Sequence, residues 1–132
     1  MATTSVHTRS ANRLLGFAFG AVYLLVGLVG FAITSGVGFA HNHGKDLIIF
    51  ELNPLHNIVH VAIGLLLGFA AYKGTAAASA ANTLVGGVYL LVGVVGLFLT
   101  DSAANIIAVN HPDNALHLAS ALVLLGVGLT KK

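Results

Sequence analysis

Two eight-residue stretches concentrate hydrogen-bonding side chains in an otherwise apolar chain: NPLHNIVH at residues 53–60 and NHPDNALH at residues 110–117. Between them they hold His56, His60 and His117, and imidazole can ligate a metal, ligate a haem or bond on both edges of its ring. His56 and His60 are four residues apart, so a helix would set them on one face, and with His117 they could hold a divalent metal ion. No glutamate stands between or beside them, which leaves the zinc signature incomplete. A b-type haem is the second chemistry, with His60 and His117 as axial ligands from two helices of a bundle. The third needs no ligand. In it Asn53, Asn57 and His60 with Tyr23, and Asn110, Asn114 and His117 with Tyr89, form two interior networks. The asparagines cap helix starts, and each neutral imidazole meets a tyrosine. This third reading is the preferred one, because an imidazole satisfied by neighbouring polar groups can fix helix register by itself.

Other chemistry is poorly supported. With no cysteine, disulfides, thiolate metal sites, iron–sulfur clusters and cysteine nucleophiles are excluded. Asp46, Glu51, Asp101 and Asp113 are too dispersed to nominate an acid/base pair, and no serine lies in a nucleophile motif. The expectation is that the protein is not an enzyme. The stretch HNHGKD at residues 41–46 reads as a solvated turn around Gly44.

The elements that must position these groups are membrane helices. Hydrophobic residues make up 57% of the chain and charged residues 8%, more apolar surface than a soluble domain of this length can hide. Apolar runs at residues 14–34, 58–72, 84–100 and 116–130 can each cross a bilayer core of about 20 residues once their flanks are included. The first run is too long for a signal-peptide core and lacks a small-residue cleavage site, so it is read as retained. Arg9 and Arg13, Lys73, and Lys131 with Lys132 flank the runs on one side, and all four carboxylates lie in the other connections. By the positive-inside rule both termini are cytoplasmic and the protein is a multi-pass component of a bacterial plasma membrane. The basic residues are scattered along one face, which speaks against nucleic acid as a partner.

The chain also repeats itself. GAVYLLVGLVGFAIT at residues 20–34 and GGVYLLVGVVGLFLT at residues 86–100 agree at ten of fifteen positions. Asn53, Asn57 and His60 correspond to Asn110, Asn114 and His117, each 57 positions later. The predicted fold is therefore an all-α four-helix transmembrane bundle, a single domain over residues 1–132. It is built from two parallel tandem helical hairpins, about 14–72 and 82–130. Gly20, Gly27 and Gly30 with Tyr23, and Gly86, Gly93 and Gly96 with Tyr89, form stripes at three- and four-residue steps, where small residues let helices approach closely. His56 is placed about 40° off the polar stripe and towards the outer rim, at about 100° per residue. Residues 47–52 and 105–109 are expected as short helices or turns in the outer interface. Leu65, Leu66, Phe69, Leu122, Leu124 and Leu125 are expected to face lipid or a partner.

NPLHNIVHVAIG (residues 53–64) and DNALHLASALVLLG (residues 113–126), with the glycine-rich first and third helices, resemble the actinobacterial four-helix membrane family catalogued as domain of unknown function 4383. That resemblance implies a fold and a bacterial membrane location, and carries no activity. The resulting expectation is a small structural or accessory membrane subunit with no cofactor. Its partners would be the lipid bilayer and either a larger complex or further copies of itself. A haem b or divalent-metal protein is the alternative, and an oligomeric transporter or channel the next.

Overall fold

The computed structural model describes residues 10–132; Arg9, one of the charges in the orientation reading, lies outside them. Four helices account for most of the described chain: α1 (Ala11–Ile33), α2 (Pro54–Lys73), α3 (Thr75–Leu99) and α4 (His111–Gly128). The first three are long and apolar enough to cross a membrane. α4 has 18 residues and opens on a polar turn. All-α architecture and a membrane-protein character follow, as the apolar runs predict.

Local chemistry fixes the helix starts. Asn53 caps α2 by accepting the His56 N–H at 2.8 Å, and Pro54 follows where no N–H is needed. Asn110 and Asp113 close a reciprocal capping box at the start of α4. α2 and α3 are joined by Gly74 alone, at φ 144°, a conformation that side-chain-bearing residues rarely adopt. The stretch after Lys73, read from sequence as a connection, is thus already helical from Thr75. Its run of alanines is an excellent helix former.

A second departure lies at the other end. Residues 45–52 are neither helix nor simple turn: β1 (Lys45–Leu47) pairs antiparallel with β2 (Phe50–Leu52), with Asp46 opposite Glu51. Ile49 and Phe50 favour extended backbone, and a hairpin satisfies amide groups that a helix too short to nucleate would leave open. Residues 105–109 do form turns, tied by the Asn105 amide to Thr100 O and Val109 O at 2.9 and 2.8 Å.

Helix pairing is dominated by α1 against α2 and α3 against α4. A methyl group at Gly27 would come within 2.8 Å of Asn57 O and 2.9 Å of Val61 N, so the backbones touch. Gly30 abuts the Asn57 amide as Gly96 abuts that of Asn114. Tyr23 and Tyr89 meet at the bundle axis, their rings 5.2 Å apart, above a core that includes Leu67, Val85 and Leu124. Leu124 is therefore not a lipid or partner surface, because it fills the space where α4 crosses the other helices, whereas Leu65, Phe69 and Leu122 do face outwards. The end opposite the hairpin is closed by Asn82, which donates to Asn12 O and Oδ1 at 3.0 and 2.9 Å, while Asn12 donates to Lys132 O at 2.8 Å.

Candidate metal centre

The hairpin end holds the polar stretches. α2 presents His56 and His60 one turn apart, α4 presents His117, and all three are at most 2% exposed. Their ring centroids form a triangle with sides of 4.3, 5.7 and 6.1 Å, and one ligating nitrogen from each lies within 4.8 Å of the others. His56 is therefore not at the rim. The hairpin and the 105–109 turns close over the first turn of α2, so a residue near the helix end is still deep in protein. Backbone groups of Glu51 and Ile107 lie beside its ring.

The polar groups do not bond to one another as the interior-network reading requires. Both ring nitrogens of His56 and His60, and Nδ1 of His117, are buried without a hydrogen-bond partner. Each tyrosine meets its histidine ring to ring instead. Tyr23 tilts against His60 at 5.2 Å, and Tyr89 stacks on His117 at 5.0 Å with 12° between planes. The Tyr23 hydroxyl pairs with Ser120 Oγ at 2.6 Å, and the Tyr89 hydroxyl has no partner. The rings pack on one another, tilted by 52° in the first pair and near-parallel in the second, so ring contact takes the place of a hydroxyl bond. Asn57 donates to Thr34 Oγ1 at 2.9 Å, while the Asn114 amide is unpaired. Asn53 and Asn110 act as caps, and each also reaches the opposite half. Asn53 Nδ2 donates to Ile106 O at 2.8 Å, and Asn110 Nδ2 to Ile49 O at 2.9 Å, acceptors that are themselves 57 residues apart.

Asp113 stands where the 57-residue correspondence would put a second His56. Its Oδ2 accepts from Asn110 N at 2.9 Å and Glu51 N at 3.0 Å, it is 1% exposed, and among the described residues it has no ion-pair partner. Asp113, His60 and Ser120 share the wall of a largely apolar cleft of about 340 Å³ between α1, the hairpin and α4. Sequence reading missed both Asp113 and Ser120. The repeat offset was the available signal for Asp113, and for Ser120 it was its place one turn after His117.

Three converging imidazoles could serve as donors to zinc or another borderline divalent ion. Zn–N bonds of about 2.0–2.1 Å need the nitrogens roughly 3.3 Å apart in a tetrahedral set, so each ring would move by about an ångström. A haem fits less well. A macrocycle between His60 and His117 would have to occupy the ground held by the His56 ring, which lies 4.3 and 5.7 Å from theirs.

The family described as Domain of unknown function (DUF4383) matches over residues 13–130. The chain belongs to that family. The match spans all four helices, the hairpin and the three histidines, and the family's description supplies no activity for them. No curated protein and no solved structure matches the chain.

Proposed function

We propose that this is a small integral membrane protein that binds one divalent transition-metal ion, of the zinc or copper(II) class, through His56, His60 and His117. The observation that carries the reading is that one nitrogen from each of the three buried rings converges within 4.8 Å, while five of the six ring nitrogens have no hydrogen-bond partner. Leaving buried polar atoms unpaired costs roughly 1–3 kcal/mol each, and a shared ion satisfies one nitrogen from every ring at once. The absence of thiolates excludes soft sulfur-rich coordination, which favours imidazole-compatible ions over copper(I).

The setting is a multi-pass protein of a bacterial plasma membrane with both termini in the cytoplasm. Arg13, Lys73 and Lys131 sit at the bundle end away from the hairpin, with Asp46, Glu51, Asp101 and Asp113 at the hairpin end. Matched contacts at Gly30 and Gly96, and the reciprocal bonds from Asn53 and Asn110, support two tandem hairpins related by an axis along the membrane normal. The metal would lie near that axis. An accessory role beside a larger membrane complex is compatible with it, since exposed Phe69, Phe98 and Leu122 offer lateral apolar surface.

The test is metal content of protein purified with an affinity tag free of histidine, followed by titration with Zn2+ in detergent. One equivalent bound tightly, and lost in His60→Leu and His117→Leu, is the expected result. Wild-type protein that neither retains nor takes up metal would refute the proposal.

A further inference from the structure

A bound dication needs a way in and a counter-charge, and the hairpin end supplies groups suited to both. Exposure falls stepwise along it: the side chain of His43 is 60% exposed, that of Glu51, 3.6 Å from it, is 17%, and Asp113, bonded to the Glu51 amide at 3.0 Å, is 1%. Asp113 is then one helical turn from His117 and lines the same cleft as His60. We infer that Glu51 and Asp113 form an acidic entry arm that draws a divalent cation from the outer face to the histidine triad and balances its charge there. The inference rests on the metal-binding reading.

Three facts support it. A buried carboxylate is normally paired with a cation or bound to a metal, yet Asp113 has only two amide donors. Lys45, the lysine nearest to Glu51 in sequence, does not neutralise the arm, because its ammonium is turned to Ser35 O at 3.3 Å. Finally, the arm leads to three imidazole side chains more than nine-tenths buried, with both ring nitrogens of His56 and His60 and Nδ1 of His117 unpaired. Three neutral imidazoles leave a dication's charge uncompensated in a low-dielectric bundle, and one carboxylate a turn away removes half of it.

The arm and the triad are separable by kinetics. Protein in nanodiscs is mixed with Zn2+ in stopped flow against a chromophoric chelator, and Co2+ is added separately to read its visible absorption. Glu51→Gln keeps an oxygen for its bond to Gly44 N and should slow association about tenfold, the lower end of electrostatic steering effects, with little change in dissociation. Asp113→Asn keeps an acceptor for both amides and should slow association and also weaken affinity by about 10–100-fold. Asn110→Ala breaks the same helix cap while leaving the carboxylate, and should bind as wild type does. Wild-type association rates in either Glu51→Gln or Asp113→Asn would overturn the arm, as would an equal loss in Asn110→Ala. Wild type that takes up no metal would remove the triad and the arm together, whereas binding with unaltered variant kinetics would remove the arm alone.

Discussion

Adding one methyl group at matched glycines should have unequal effects, and the inequality follows from what each methyl would strike. At Gly27 it would lie 2.6 Å from Val61 Cγ2, 2.8 Å from Asn57 O and 2.9 Å from Val61 N. Two of those three atoms are backbone, so relief requires α1 and α2 to part by roughly half an ångström or more to regain ordinary contact distances near 3.5 Å. Overpacking of that kind costs about 1–3 kcal/mol. At Gly93 the nearest atoms are Cδ2 and Cγ of the Leu118 side chain, both at 2.7 Å, and the nearest backbone atom is 3.4 Å away. A leucine can change rotamer, so the cost there should stay near 1 kcal/mol or below. A methyl at Gly87 meets nothing within 4 Å, and exchange of glycine for alanine in a helix should be neutral or stabilising by up to about 1 kcal/mol. Reversible unfolding of the alanine variants in mixed detergent micelles, followed by circular dichroism, gives the three free energies. The expected order of stability is Gly87→Ala, then Gly93→Ala, then Gly27→Ala. Equal stability of Gly27→Ala and Gly87→Ala would show that the stripe does not carry the α1–α2 contact.

Thr34→Val should destabilise by about 1 kcal/mol through loss of its bond from Asn57, whereas Thr100→Val should not, since Asn114 makes no such bond; the same unfolding assay checks both. His60→Leu and His56→Leu, measured without metal, should be neutral or stabilising, because leucine of similar volume replaces an unpaired buried polar ring. Clear destabilisation of the metal-free single variants would restore the hydrogen-bonded network. A cysteine at position 43 should react with an impermeant maleimide on intact cells, and one at position 75 only after permeabilisation; the reverse pattern would invert the orientation.

Helices were legible because their signals are local. Apolar length, Asn53–Pro54 and the Asn110–Asp113 spacing each specify a span or a start without reference to distant residues, and the glycine steps identify which faces meet. The hairpin was not legible for the complementary reason. The β-hairpin is stabilised by where it lands, since Glu51 N finds Asp113 Oδ2 in the first turn of α4 and O of the turn residue Ile49 finds Nδ2 of the cap Asn110. Periodicity cannot report a partner more than 60 residues away. The Asn12–Asn82 closure at the opposite end is beyond sequence reading for the same reason, since its partners lie 70 residues apart.

His56 shows how the functional inference turned on a small geometric fact. About 40° off the polar stripe is a modest angle on a helix cylinder, and what covers that angle decides whether the residue is wet or buried. The hairpin covers it, so His56 joins His60 and His117 and the rings meet one another rather than tyrosine hydroxyls. The 57-residue correspondence then gives the site its asymmetry. One hairpin supplies His56 and His60, and the other supplies Asp113 and His117 at the same spacing. Four histidines at those positions would offer a dication no counter-charge, and two aspartates would place two unpaired carboxylates inside a membrane bundle. With three neutral imidazoles and one carboxylate, the site without metal would carry one negative charge and the site with a dication one positive charge, so neither state would exceed a single unit in a low-dielectric interior.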